Sequence, residues 1–429
     1  MKRCVLSSIL SIFMLAMHAA AAVVKVSGAI PNGTVWRSGD TILVTADATV
    51  PRGALLTLQP GVVVKFRCVK APARRVCLDV HGRMNSLGTP ANPVVFTSER
   101  DDAHGGDSNK DASASAAQAG DWGRIRVPGF GSTVQNCRFQ YGGGMDVGDG
   151  VRPMLWIEGS GAPVDVTQCT FSDSAGIGLL YSQGPCLLAP RIADNAVSGC
   201  ETGIVLDGWR LTRARVAGNS VDRCGIGIEL RCTNPELERN RLVANTGHPL
   251  KLVGGASPTC RFNTVEGNAQ QCVLISGEIL GRATLGPRQS LGLPFLVATD
   301  LGIAPGGELT LQPGTIVKFP YRKRHWEKRG LLVRGSLQAR GTWAAPIVFT
   351  SERDDLQGGD SNGDGDATAP SLGDWGTIVT LQVNDVVEHC VFRFGGYASA
   401  MPQGSTRSQT LWVQGGGETI DVSRCRFDE

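Results

Sequence analysis

Apolar and polar residues alternate along this chain in short runs, as in Gly203-Ile-Val-Leu206 and Gly225-Ile-Gly-Ile228-Glu-Leu230. Alternation of this kind turns one side of an extended backbone inward and predicts short half-buried β-strands. A longer rhythm overlies it. Ile192-Ala-Asp-Asn195, Val216-Ala-Gly-Asn219, Leu237-Glu-Arg-Asn240 and Cys260-Arg-Phe-Asn263 share an apolar-x-x-Asn core, with asparagines 24, 21 and 23 residues apart. A period of roughly 20 to 25 residues is too short for helix-pair repeats of about 33 or more and fits coils of short strands joined by turns. An asparagine recurring once per coil caps a bend and bonds its counterpart in the next coil. The pattern predicts an all-β fold, a right-handed parallel β-helix or solenoid. An antiparallel sandwich would need hairpin dipeptides between the runs, and few occur.

The chain also repeats itself on a larger scale. Leu56-Thr-Leu-Gln-Pro-Gly61 returns as Leu309 to Gly314 and Phe96-Thr-Ser-Glu-Arg-Asp-Asp102 as Phe349 to Asp355, both at an offset of 253. The same offset relates Asp121-Trp-Gly123 to Asp374 through Gly376 and Cys137-x-Phe139 to Cys390 through Phe392; beyond it, Cys169 matches Cys425 at 256. The expected organisation is a processing segment over 1–22, a first β-helix module over 23–277 and a second, incomplete module over 278–429. Glu429 follows a strand pattern with no visible cap, and the expectation is self-association through that open coil.

Gly28-Ala-Ile30, Leu56-Thr-Leu-Gln-Pro-Gly-Val-Val-Val-Lys-Phe66 and Gly88-Thr-Pro-Ala-Asn-Pro-Val-Val-Phe-Thr-Ser98 carry a resemblance to exported bacterial proteins of the right-handed parallel β-helix repeat type. It extends over nearly all of both modules. It implies the fold and export; for activity it implies little, because the fold hosts lyases, hydrolases, adhesins and surface proteins alike.

Glycine at 56 and proline at 22 punctuate the runs, while hydrophobic content stays at 41%, enough for a continuous core. With 42 basic against 39 acidic residues, nothing indicates a nucleic-acid binder whose affinity rests on excess cations. Lys2 and Arg3, the apolar run Val5 to Met17 and Ala19 to Ala22 have the layout of a cleaved secretory leader. No later stretch reaches the roughly 18 apolar residues of a transmembrane anchor, so the expected destination is periplasmic, extracellular or cell-surface. Such compartments permit disulfides. Cys68 with Cys77, Cys224 with Cys232 and Cys260 with Cys272 are spaced for local staples, whereas Cys137, Cys169, Cys390 and Cys425 lie in strand-like runs and are read as packing residues.

The candidate chemistry lies where both modules leave the strand pattern. Asp101, Asp102, Asp107, Asn109 and Asp111 cluster in the first, and Asp354, Asp355, Asp360, Asn362, Asp364 and Asp366 in the second. Asp360-Ser-Asn362-Gly-Asp364-Gly365 has the alternating oxygen donors and the turn glycine of the first half of an EF-hand loop, which points to Ca²⁺. The acidic residue of position 12 is missing, and Asp366, Asp354, Asp355 or Asp374 is the expected replacement. Asp107-Ser-Asn109-Lys-Asp111-Ala112 keeps the oxygens and loses both glycines, so its affinity is expected to be lower. The competing view is a solvated turn bonded to its own backbone.

Other signals are weak. No histidine pair has metal-ligand spacing. Arg210, Arg213, Arg215, Arg223 and Arg231 fit a charged solenoid exterior. Trp326 in the basic run 322–329, and Trp122 and Trp375 after Gly-Asp, are candidate sugar platforms, with an exposed tip and buried anchors as their bland alternatives; Trp156 and Trp412 are read as packing. The reading is an exported, non-catalytic surface module binding a polysaccharide or cell-surface partner, with Ca²⁺-stabilised loops. The alternative is a Ca²⁺-dependent polysaccharide lyase, whose proton-abstracting base is not identifiable.

Overall fold

The computed structural model describes residues 23–69, 74–129, 131–144, 152–159, 162–182, 190–208, 213–324, 328–381, 385–396, 409–414 and 420–428. The proposed leader and Trp326 lie outside these segments, as do Cys186 and Arg210.

Every strand pairing among the described residues is between parallel strands, and each strand pairs with its equivalents about one coil away in the chain. A representative coil runs Arg191–Ala193, Ala196–Ser198 and Thr202–Asp207, three strands separated by tight corners. Arg191 lies beside Arg215, Ala196 beside Ser220 and Ile204 beside Ile228 in the coil that follows. This is a parallel β-helix, and the asparagine rhythm marks its corners as expected.

The inward positions stack into columns. Leu155, Leu179, Ile204, Ile228, Leu250 and Val273 follow one another in register, all fully buried. Phe96, Phe139 and Phe171 stack at 4.9 and 4.8 Å; Phe349, Phe392 and Phe427 repeat the arrangement at 5.0 and 4.8 Å. Phe427 is 55% exposed; each of the other side chains, removed from water, contributes about 1.5–3 kcal/mol.

One corner carries a polar column. Asn195 donates from Nδ2 to Asn219 Oδ1 at 2.9 Å, Asn219 to Asn240 at 2.9 Å and Asn240 to Asn263 at 3.0 Å. Each Oδ1 also accepts the backbone N–H of the preceding rung, so the amides satisfy corner groups that strands cannot reach. The column is continued upstream by cysteine: the Cys169 backbone N–H donates to Asn195 Oδ1 at 2.9 Å, and Cys137 packs against Cys169. The packing role expected of these two cysteines is what they have, and Cys390 is likewise buried.

The predicted local disulfides are not formed. All eleven described cysteines are free thiols. Inward-pointing cysteines meet partners one coil away, not within a loop: Cys224 faces Cys200, while Cys232 is exposed, and Cys68 Sγ bonds Asp121 at 3.3 Å without reaching Cys77. Cys260 and Cys272 are equally unpaired.

A nine-stranded face runs from Thr34–Trp36 to Thr259–Arg261, and a separate five-stranded face begins at Arg282–Leu285. The largest sheet crosses this break without interruption. Its strand Val273–Ile279 pairs with His248–Val253 on one side and Phe295–Ile303 on the other. The expected boundary between residues 277 and 278 therefore falls inside a strand that both modules share.

Candidate metal centre

Each module interrupts its coil at the same place. The chain leaves after Val94–Ser98 and returns at Ile125–Pro128; in the second module it leaves after Ile347–Ser351 and returns at Ile378–Thr380. Trp122 and Trp375 close the two excursions. Both are wholly buried, stack on Phe66 and Phe319 at 4.5 and 4.4 Å, and donate from Nε1 to the Gln140 and Arg393 carbonyls at 2.8 Å. They are anchors, and burial removes them as sugar platforms.

Beneath each loop lies a lysine that sequence reasoning did not single out. Lys65 and Lys318 sit in apolar strands, fully buried, and donate from Nζ to the carbonyls of Gly106 and Gly359 at 2.5 and 2.6 Å. Burial lowers the pKa of both ammonium groups, and the neighbouring loop carboxylates oppose that shift. The available signal was a lysine recurring inside an apolar strand at the module offset.

Strand-end hydroxyls sort the aspartates. Thr97 captures Asp101 at 2.7 Å and Thr350 captures Asp354 at 2.6 Å; Ser98 and Ser351 hold Asp121 and Asp374 at 2.6 and 2.7 Å. Asp101 also meets His104 at 2.8 Å, and Asp354 meets Arg393 at 3.1 Å. These four carboxylates serve as internal braces. Asp101, Asp354 and Asp374 fall outside the convergent sets of acids, and Asp354 keeps one buried oxygen, Oδ1, without a partner.

The remaining acids converge. Asp102, Asp107 and Asp111 bring one carboxylate oxygen each within 4.8 Å of one another, as do Asp355, Asp360 and Asp364. Two oxygens on one Ca²⁺ lie no more than about 5 Å apart. Asp355 is the acid that joins Asp360 and Asp364, and Asp366 lies outside the convergent set. Much of each loop's bonding is internal, as a solvated turn would have it. Asp360 accepts from the Gly363 and Gly365 backbones at 2.7 and 2.8 Å, and Asp364 Oδ2 accepts from Asn362 at 2.9 Å and Thr368 at 2.5 Å. Some oxygens are nonetheless shielded from solvent with no partner: Asp102 Oδ1 and Asn109 Oδ1 in the first loop, Asp355 Oδ1 and Asp364 Oδ1 in the second. Buried oxygens are seldom left orphaned, and a hard cation satisfies several at once. Burial and then the neighbouring Asp360 raise the pKa of Asp355, which is what carboxylates crowded together do.

The loops differ in backbone strain. Gly363 and Gly365 adopt φ of 76° and 62°; their counterparts Lys110 and Ala112 adopt 61° and 54° with side chains attached. A β-carbon in this left-handed region costs about 1 kcal/mol.

Three of the described arginines of the middle coils are paired: Arg215 with Glu238 at 2.7 Å, Arg223 with Asp222 at 3.3 Å and Arg231 with the buried Glu229 at 2.7 Å. Trp156 also faces outward. It packs on Ile177, Leu180 and Val205, under the Arg126 guanidinium at 5.0 Å. Cys272 Sγ lies 3.3 Å from His248 Nδ1. Burial pushes the thiol up to about 12 and the imidazole down to about 4, so a neutral thiol faces a neutral base, the opposite of an activated nucleophile.

A family model described as a right handed beta helix region matches residues 124–278, which assigns the hand of the coil. A Drosophila melanogaster protein named Protein bark beetle is 41% identical over 64 residues, 15% of this chain and 2% of that protein's length. No solved structure matches. No helix among the described residues is long and apolar enough to cross a membrane.

Proposed function

We propose that this right-handed parallel β-helix is an exported, non-catalytic module that presents its lateral faces to a polysaccharide or cell-surface partner, with both acidic loops tied by Ca²⁺. The observation that carries the reading is the duplicated loop, which brings the same three carboxylates together in each module with unpartnered oxygens beside them. A stiffened, repeated feature suits a binding or spacing role, whereas a reaction centre needs acid, base and substrate groups gathered once.

Isothermal titration of the purified protein with CaCl₂ tests the metal. Two sites are expected, the tighter one abolished by Asp364→Ala and the weaker by Asp107→Ala. Absence of any heat, with a Tm unchanged by chelator, removes the ion from the account. Incubation with uronic-acid polymers tests the binding role: Ca²⁺-dependent release of unsaturated product would replace it with the lyase reading.

A further inference from the structure

The two modules build the same surface groove and furnish it differently. In the first, the groove under the 88–93 corner is lined by Thr89, Pro90, Pro93, Asn136, Arg138 and Gln168. In the second, Thr342, Trp343, Pro346, His389, Arg424 and Arg426 line a groove of about 210 Å³. At the offsets of 253 and 256, Pro90 has become Trp343, Asn136 His389, Gln168 Arg424 and Thr170 Arg426.

Trp343 is 89% exposed, among the most exposed large apolar side chains described. It is not needed for the corner, which proline forms in the first module. An indole held in water without a structural task is an unspent binding surface. Its rim is polar and balanced. Arg424 lies 3.2 Å from Glu388 and 3.4 Å from His389 Nε2, and Arg426 lies 2.9 Å from Asp428. Glu388 and Asp428 stand where the first module has Gln135 and Ser172, so two guanidinium groups arrived together with two carboxylates. Because Arg138 of the first groove is also replaced, by Val391, the second groove gains no net positive charge and has not become a polyanion site.

We infer that the groove around Trp343 is a saccharide-binding site, in which the apolar C–H face of a pyranose packs on the indole and its hydroxyls bond Arg424, Arg426, Glu388 and Thr342. Paired planar donors and acceptors around an aromatic face suit hydroxyls, which both give and take hydrogen bonds; a phosphate backbone would require surplus cations. The inference rests on the glycan-binding reading above and locates it on one corner of the second module.

The test is microcalorimetry of the full chain with cellohexaose, xylohexaose, chitohexaose, hexagalacturonate and oligothymidylate. Trp343→Pro and the pair Glu388→Gln with Arg424→Gln install residues that the equivalent coils of the first module accommodate, where Gln135 and Gln168 bond at 3.1 Å. Unchanged melting temperatures confirm their folding. At least one hexasaccharide is expected to bind the wild type and to weaken about tenfold in Trp343→Pro, with Pro93→Ala in the first groove without effect. Saccharide binding that survives Trp343→Pro overturns the site while leaving the glycan reading intact. Failure of every saccharide overturns both, and tighter binding of oligothymidylate overturns the saccharide assignment.

Discussion

Asp385 occupies in the second module the corner that Ser132 holds in the first. Ser132 Oγ accepts the Met84 backbone N–H at 3.0 Å, and Asp385 Oδ1 accepts that of Leu337 at 2.7 Å. The carboxylate brings a second oxygen, Oδ2, which is buried without a partner. Burial raises the pKa of Asp385 from 3.8 to about 6, opposed only by the Leu337 bond. The folded state then holds a proton that the unfolded chain releases earlier, so the associated stability is full below pH 3.8 and is lost as pH rises through about 6. Asp385→Ser should raise Tm at pH 7.5 and lose that advantage at pH 4.5, a swing of about 2–3 kcal/mol. Thermal melts of both proteins at the two pH values decide it; a pH-independent difference would show that Asp385 is not the titrating group.

Lys318 braces its loop from below as an ammonium among carboxylates. Replacing it in Lys318→Met removes the bond to Gly359 and the only positive charge beneath the triad that the strand supplies. The expected loss is about 1–3 kcal/mol, larger in chelator than in saturating Ca²⁺ if an ion neutralises the same acids. Urea melts under the two conditions provide the comparison, and equal losses would separate the lysine from the metal site.

Backbone strain makes a prediction of opposite sign. Lys110→Gly and Ala112→Gly place glycine where φ is already 61° and 54°, and each should stabilise the first loop by up to about 1 kcal/mol. Calcium affinity of that loop should move toward that of the second. A titration in which both substitutions weaken the first site would mean that the entropy of the free loop outweighs the relief of strain.

The asparagine column is sensitive to single changes. Asn219→Ala removes the acceptor of the Asn195 backbone and side-chain amides and the donor to Asn240 Oδ1 and the Ile192 carbonyl. Buried groups left unsatisfied cost about 1–3 kcal/mol each, and a total near 3 kcal/mol is expected in chemical denaturation. A loss below about 1 kcal/mol would indicate that water enters the corner.

Architecture was legible because coil geometry forces it into the spacing of residues: the 24, 21 and 23 residue intervals between asparagines are the lengths of the coils themselves. The site was legible only in outline. Asp101 and Asp102 are neighbours of identical chemistry, yet Thr97 and His104 turn one inward as a brace and leave the other in the triad; that sorting depends on which hydroxyl the preceding strand offers. The cysteines misled for a related reason. Short sequence separation suggested loops stapled locally, but stacking brings together residues a full coil apart, such as Cys200 and Cys224. Trp343 carries no motif, and its role emerges only when the groove in which it stands is compared with the groove that lacks it.

The polar column along one corner also has a bearing on how the molecule comes apart. Each coil touches only the coils on either side, so opening proceeds from the two ends and from any weak rung. Between Asn195 and Asn263 every rung is locked to the next by a side-chain amide. Backbone amides in that stretch should therefore be the slowest to exchange with deuterium, a rigid waist from which the flanking coils fray outward.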